Sequence, residues 1–143
     1  MAKRQFKLAT QTSVESKAPP DVVYDTVADL KAHLVWMGER ARDDWFKLLS
    51  LNQTGQGPAV TGTTFTSSGA NYNGTFHDSS VVAEASRPTT FVIETDARLD
   101  RKHGRPLEAH FTHRYDIEPT DAGSRSGPCT ARARARARLR PAR

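Results

Sequence analysis

Val14-Glu15-Ser16-Lys17-Ala18-Pro19-Pro20-Asp21-Val22-Val23-Tyr24 is where the chain changes from one backbone period to another. Upstream, Phe6, Leu8, Thr10, Thr12, Val14 and Ser16 share one parity. Lys7, Gln11, Ser13, Glu15 and Lys17 share the other, with Ala9 blurring the contrast. That alternation predicts a first strand over 5–17 with one buried face. Ala18-Pro19-Pro20-Asp21 stops the strand and starts a helix, because Pro fits a first turn and Asp favours the positive helix end. Val23, Val27 and Leu30 then recur at helical spacing with Tyr24 beside them. A second helical turn is expected over His33 to Met37, ahead of Gly38, so the helices fall within 20–37.

Beyond Gly38 the pattern is one of strands. Asp44-Trp45-Phe46-Lys47-Leu48-Leu49-Ser50-Leu51 is an apolar run of strand length, and Asn52 to Pro58 is turn chemistry. Strands are predicted at 43–51, 59–68, 74–84, 88–98 and 106–118. The breaks between them fall at Gly69-Ala70-Asn71, Ser86-Arg87-Pro88 and Lys102-His103-Gly104-Arg105-Pro106. Glu118-Pro119-Thr120-Asp121-Ala122-Gly123 reads as a hairpin turn into one more strand. Regular spacing with no helix pattern between strands predicts an antiparallel meander. Two short helices do not cover the apolar face of such a sheet, so a long helix is expected after the last strand.

The 143 residues suit one domain, and 36% hydrophobic residues suffice for one core. No apolar run approaches the ~20 residues of a membrane span. Met1-Ala2-Lys3-Arg4-Gln5-Phe6 has no apolar stretch behind it of the kind a signal peptide carries. The single cysteine, Cys129, suits a reducing compartment, and the expected location is cytoplasmic. The net charge of +5 is unevenly placed. All sixteen acidic residues and fourteen of the 21 basic ones precede Arg125, so the body is slightly acidic and the tail alone is basic. The charge therefore argues against a folded nucleic-acid-binding face.

The opening stretch quoted above, with Asp29 and Trp36 following it, resembles the start of the START/polyketide-cyclase (SRPBCC) superfamily. His113-Arg114-Tyr115-Asp116-Ile117-Glu118-Pro119, then Asp121-Ala122-Gly123-Ser124-Arg125, is similar to that superfamily's penultimate strand and turn. The resemblance covers roughly residues 6–125. It implies an α+β helix-grip fold, an antiparallel sheet of about six or seven strands curved around helices. It also implies a cavity for a small hydrophobic ligand and no cofactor.

After Arg125 such a protein would continue with an apolar strand and a roofing helix. This chain instead has Ser126-Gly127-Pro128-Cys129-Thr130, four Ala-Arg repeats, and Leu139-Arg140-Pro141-Ala142-Arg143. Residues 1–125 are thus read as the ligand-binding domain and 126–143 as an Arg/Ala-rich tail, with the C-terminal helix missing or replaced. Alternating Ala and Arg is what GCG and CGC codons yield, which points to a shifted reading frame in a GC-rich gene. A basic arm for nucleic acid or acidic lipid is the functional alternative. The alternation also permits a final strand, Ala one way and Arg the other, and the composition permits a helix.

No phosphate loop, His-Glu-x-x-His, cysteine pair or Gly-x-Ser-x-Gly is present in the sequence. His77 and Asp78 are neighbours on a strand, so they point to opposite faces and form no dyad by themselves. His110 and His113 fall on opposite parities, and no histidine spacing recommends a metal. The pocket candidates are Trp36, Phe65, Tyr72, Phe76, Phe91, Phe111 and Tyr115, with His113 as the candidate general acid–base among aromatics on its own strand face. Aromatic residues at strand parity also serve simply as core. Arg101, Lys102 and Arg105 read as a solvated hairpin tip. Three functions are consistent with these residues: a hydrophobic-ligand carrier, a cofactor-free polyketide cyclase or dehydrase that works largely by shaping its substrate, and a basic-tailed nucleic-acid or membrane-associating protein.

Overall fold

The computed structural model describes residues 5–35 and 46–137. Strand β1 (Gln5–Ser16) leads into helix α1 (Pro20–Ala28) and a 3-10 turn, Leu30–Ala32. Six strands follow: β2 (Phe46–Gln53), β3 (Thr64–Asn71), β4 (Gly74–Ser86), β5 (Thr90–Arg101), β6 (Leu107–Thr120) and β7 (Gly123–Ala137). They form one seven-stranded sheet in the order β1-β7-β6-β5-β4-β3-β2, with every neighbouring pair antiparallel. This is the expected meander with its first strand folded back beside its last.

Local chemistry explains the turn from β1 into α1. Pro19 supplies a carbonyl that accepts from the backbone N–H groups of Val22 and Val23 at 3.1 and 3.2 Å. Pro20 occupies the first turn, where no donor is needed. At the far end the Asp29 N–H reaches the Asp25 carbonyl at 3.0 Å, while the Asp29 side chain accepts from Ala32 N–H at 3.3 Å. That second bond caps the 3-10 turn. Residues 33–35 continue helically, and Trp36, Met37 and Gly38 lie outside the described residues. The described part of the second expected turn, residues 33–35, is thus helical, and among the described residues α1 is the one longer helix.

Tyr24, Ala28 and Leu30 pack onto Phe65, Val82, Phe91, Ile93 and Ile117, with Ala59 between them. This cluster defines the helix side of the sheet. Segment 59–63 departs from its prediction as strand: β3 begins only at Thr64. Ala59 N–H instead donates to the Ala28 carbonyl at 2.9 Å, and Gly62 turns the chain at φ +89°. Gly62 N–H still donates to the Val82 carbonyl and Val82 N–H to the Thr63 carbonyl, each at 2.8 Å, so it is the start of the segment that is tied to α1. β1 also departs from expectation, because residues 11–17 are exposed and Val14 is 63% so. As an edge strand bulged between Thr12 and Val14, it gains no buried face over those residues.

The Ala-Arg repeat takes the strand form. β7 pairs with both β1 and β6, and its backbone register sets Ala131, Ala133 and Ala135 against His113, Phe111 and Ala109. Arg132, Arg134 and Arg136 register with Thr112, His110 and Glu108. Among the described residues no helix follows β7, and no helix is long and apolar enough to cross a membrane.

Candidate ligand-binding face

Cross-strand partners point to the same side of a sheet, so the registers map the helix side row by row. One row runs Phe65–Ser80–Thr95–Phe111 and the next Val82–Ile93–His113. Phe91 pairs with Tyr115 beyond them, and Phe76 with Leu99 in the other direction. Phe65, Phe76, Phe91, Phe111, His113 and Tyr115 therefore share one face, with Phe65, Phe76 and Phe91 buried and the others half-buried.

Tyr72 does not join them. The Asn71 side chain accepts from the N–H groups of Asn73 and Gly74 at 2.8 and 3.1 Å, which makes residues 71–74 a tight turn. Tyr72 rides on its tip, 59% exposed. Turn chemistry overrides strand parity at this position. Trp36 lies outside the described residues.

His113 stacks on Phe111 with ring centroids 6.0 Å apart and planes 18° from parallel. Burial pushes its imidazole pKa down, so it is neutral near pH 7. A neutral imidazole beside an aromatic platform can accept or donate one proton.

Asp78, read in the sequence only as the strand neighbour of His77, is a further candidate on this face. It lies on the parity of Phe76, Ser80 and Val82, and its partners Ser67 and Ala97 put it on the helix side. Burial pushes its carboxyl up to about 6, against the opposing effects of His77 and the Ser67 hydroxyl. Its buried Oδ1 has no hydrogen-bond partner among the described residues. The available signal was an acid on the apolar parity of a strand. Two strands and four residues separate it from His113, on the order of 15 Å, so the two form no dyad. Ser80 and Thr95, between them, share a buried hydrogen bond of 2.8 Å.

The opposite face is polar. His110 is held at 2.8 Å by Asp96 through Nδ1 and at 2.8 Å by Glu94 through Nε2, and Thr112 donates to Glu94 at 3.3 Å. Both ring nitrogens are thereby engaged, and the Asp96 and Glu94 bonds raise the imidazole pKa. An open cleft of about 870 Å³ crosses this face past His77, Glu94, Asp96 and His110. Its acids and histidine already satisfy one another, whereas the apolar side chains gather on the helix side. Among the described residues no group of three His, Cys, Asp or Glu is placed to hold a metal ion.

No family model and no curated protein sequence matches the chain. Solved structures do resemble it in fold. An uncharacterized protein from Rhizobium leguminosarum superposes with a TM-score of 0.72 at 12% identity, over 96% of this chain and 83% of its own. The Mll3558 protein of Rhizobium loti gives 0.55 at 11% identity, over 95% and 82%. A protein of Helicobacter pylori gives 0.54 at 10% identity, over 91% and 69%. At these identities the likeness establishes a shared fold: a seven-stranded antiparallel sheet carrying helical cover on one face.

Proposed function

We propose that this is a helix-grip protein of the START/polyketide-cyclase type that binds a small apolar ligand against the helix side of its sheet. The observation that carries this reading is the convergence of Phe65, Phe76, Phe91, Phe111, His113 and Tyr115 on that one face. The strand–helix–strands order, with β1 beside β7, accords with the residue-level resemblance at Val14–Tyr24 and His113–Arg125. A fluorescence titration with the apolar dye N-phenyl-1-naphthylamine tests it. One saturable site should weaken at least severalfold in Phe111→Ser and persist in Thr66→Lys on the opposite face. Absence of saturable binding, or loss only in Thr66→Lys, would overturn it.

Catalysis as a cyclase or dehydrase is the second reading, favoured by the neutral His113 stacked on Phe111. His113→Ala should then abolish turnover of a poly-β-ketone while dye affinity changes little. A carrier would show no turnover with or without His113. The basic-tail reading, with nucleic acid or acidic lipid as partner, has no such observation behind it, since the Ala-Arg repeat is paired on both sides within the sheet.

A further inference from the structure

Side-chain size along the helix side is uneven in a way that marks out a furrow. The cross-strand row that starts at Leu51 on β2 continues as Ser67–Asp78–Ala97–Ala109, and beyond Leu51 these four hold nothing larger than an aspartate. On one flank runs Phe76–Leu99–Leu107 and on the other Phe65–Ser80–Thr95–Phe111. Neighbouring rows on one face stand two residues apart, about 7 Å, and four strands span about 14 Å. That is room for a flat two-ring body between the two bulkier rows. Phe76 forms one wall and leans over Gly69, where its ring occupies the space a side chain would need.

Asp78 closes the β3–β4 end of this furrow. A buried carboxyl oxygen without a partner costs folding free energy, so the fold alone gives no reason for it. Among the described residues the groups around it on this face are neutral: the Ser67 hydroxyl, whose hydrogen bond to the carboxyl still leaves Oδ1 without a partner, the Ser80 and Thr95 hydroxyls, the Ala97 methyl and the Phe76 ring. We infer that the furrow takes the flat apolar body of the ligand and that Asp78 accepts a hydrogen bond from a neutral hydroxyl at its end. This inference rests on the ligand-binding function proposed above and adds the ligand class, a hydroxylated planar apolar molecule. The upward push of burial on the carboxyl agrees with surroundings built for a neutral donor.

The test compares three probes by calorimetry at pH 7: 1-methylnaphthalene, 1-naphthylmethanol and 1-naphthylmethylammonium. The unaltered chain should prefer the alcohol to the hydrocarbon roughly three- to tenfold, the range of one net hydrogen bond. In Asp78→Ala and Asp78→Val that ratio should fall to near one. Val suits a strand and removes the buried oxygen, so it keeps the test available if the Ala variant unfolds. Equal binding of hydrocarbon and alcohol by the unaltered chain overturns the Asp78 assignment and leaves the apolar site standing, as does a ratio unchanged in both variants. Tightest binding of the ammonium overturns the neutral-hydroxyl assignment. If neither hydrocarbon nor alcohol binds, the apolar-ligand function itself fails, and this inference with it.

Discussion

Tyr24 on α1 meets Phe91 on β5 edge to face, with ring centroids 5.8 Å apart and planes at 83°. Both are almost fully buried, and they join the helix to the middle of the sheet. Phe91→Ala should cost about 3–5 kcal/mol in a denaturant melt, a large part of a typical domain's stability. A double-mutant cycle with Tyr24→Leu should return about 0.5–1.5 kcal/mol of coupling from the edge-to-face contact. Coupling near zero would show that the two rings merely fill volume.

Gly69 lies in the interior of β3 with no unusual backbone angle, so only space explains it. A methyl there would strike the Phe76 ring and the Lys47 carbonyl oxygen. Gly69→Ala should lower stability by about 1–3 kcal/mol, the usual range for overpacking. Adding Phe76→Leu should restore only part of the loss, because the Lys47 carbonyl belongs to the backbone and stays in place. Full restoration would mean that β2 moves freely.

Much of this arrangement is legible in the residues, and the exceptions have physical causes. The period-two runs and Gly, Asn and Pro breaks locate β4, β5 and β6 to within a few residues. Segment 59–63 reads as strand because Val60 and Thr63 carry the right propensity, but hydrogen bonding to α1 and the Gly62 turn outweigh it. Tyr72 reads as pocket because aromatics suit strands, and the Asn71 side chain turns it out. The adjacent pair His77-Asp78 is indeed split between faces. What a pairwise reading misses is that the inward member is the carboxylic acid.

Asp78 makes a prediction about pH. Its carboxyl sits at about 6 in the fold against an ordinary 3.8. A raised value means that the folded chain holds the proton more tightly, so this contribution is fully present below about pH 4. It is lost as pH rises through about 6. Asp78→Asn should therefore raise stability at pH 7 by about 1–2 kcal/mol, a figure already reduced for partial exposure. The advantage should vanish by pH 4. A constant difference across that range would mean that the carboxyl titrates normally.

β7 supplies the last prediction. It is the common partner of β1 and β6, so ending the chain at Arg125 removes a strand from inside the sheet. That truncated chain should lose its cooperative melt. Within β7, Ala131 and Ala133 register with His113 and Phe111 on the helix side, whereas Arg132 registers with Thr112 on the polar side. Valine favours strands over alanine and carries two more carbons to bury. Ala131→Val and Ala133→Val should each raise stability by about 0.5–1.5 kcal/mol. Arg132→Val gains the strand preference alone and should fall well short of either. Equal gains at all three positions would show that the two faces of β7 are energetically alike.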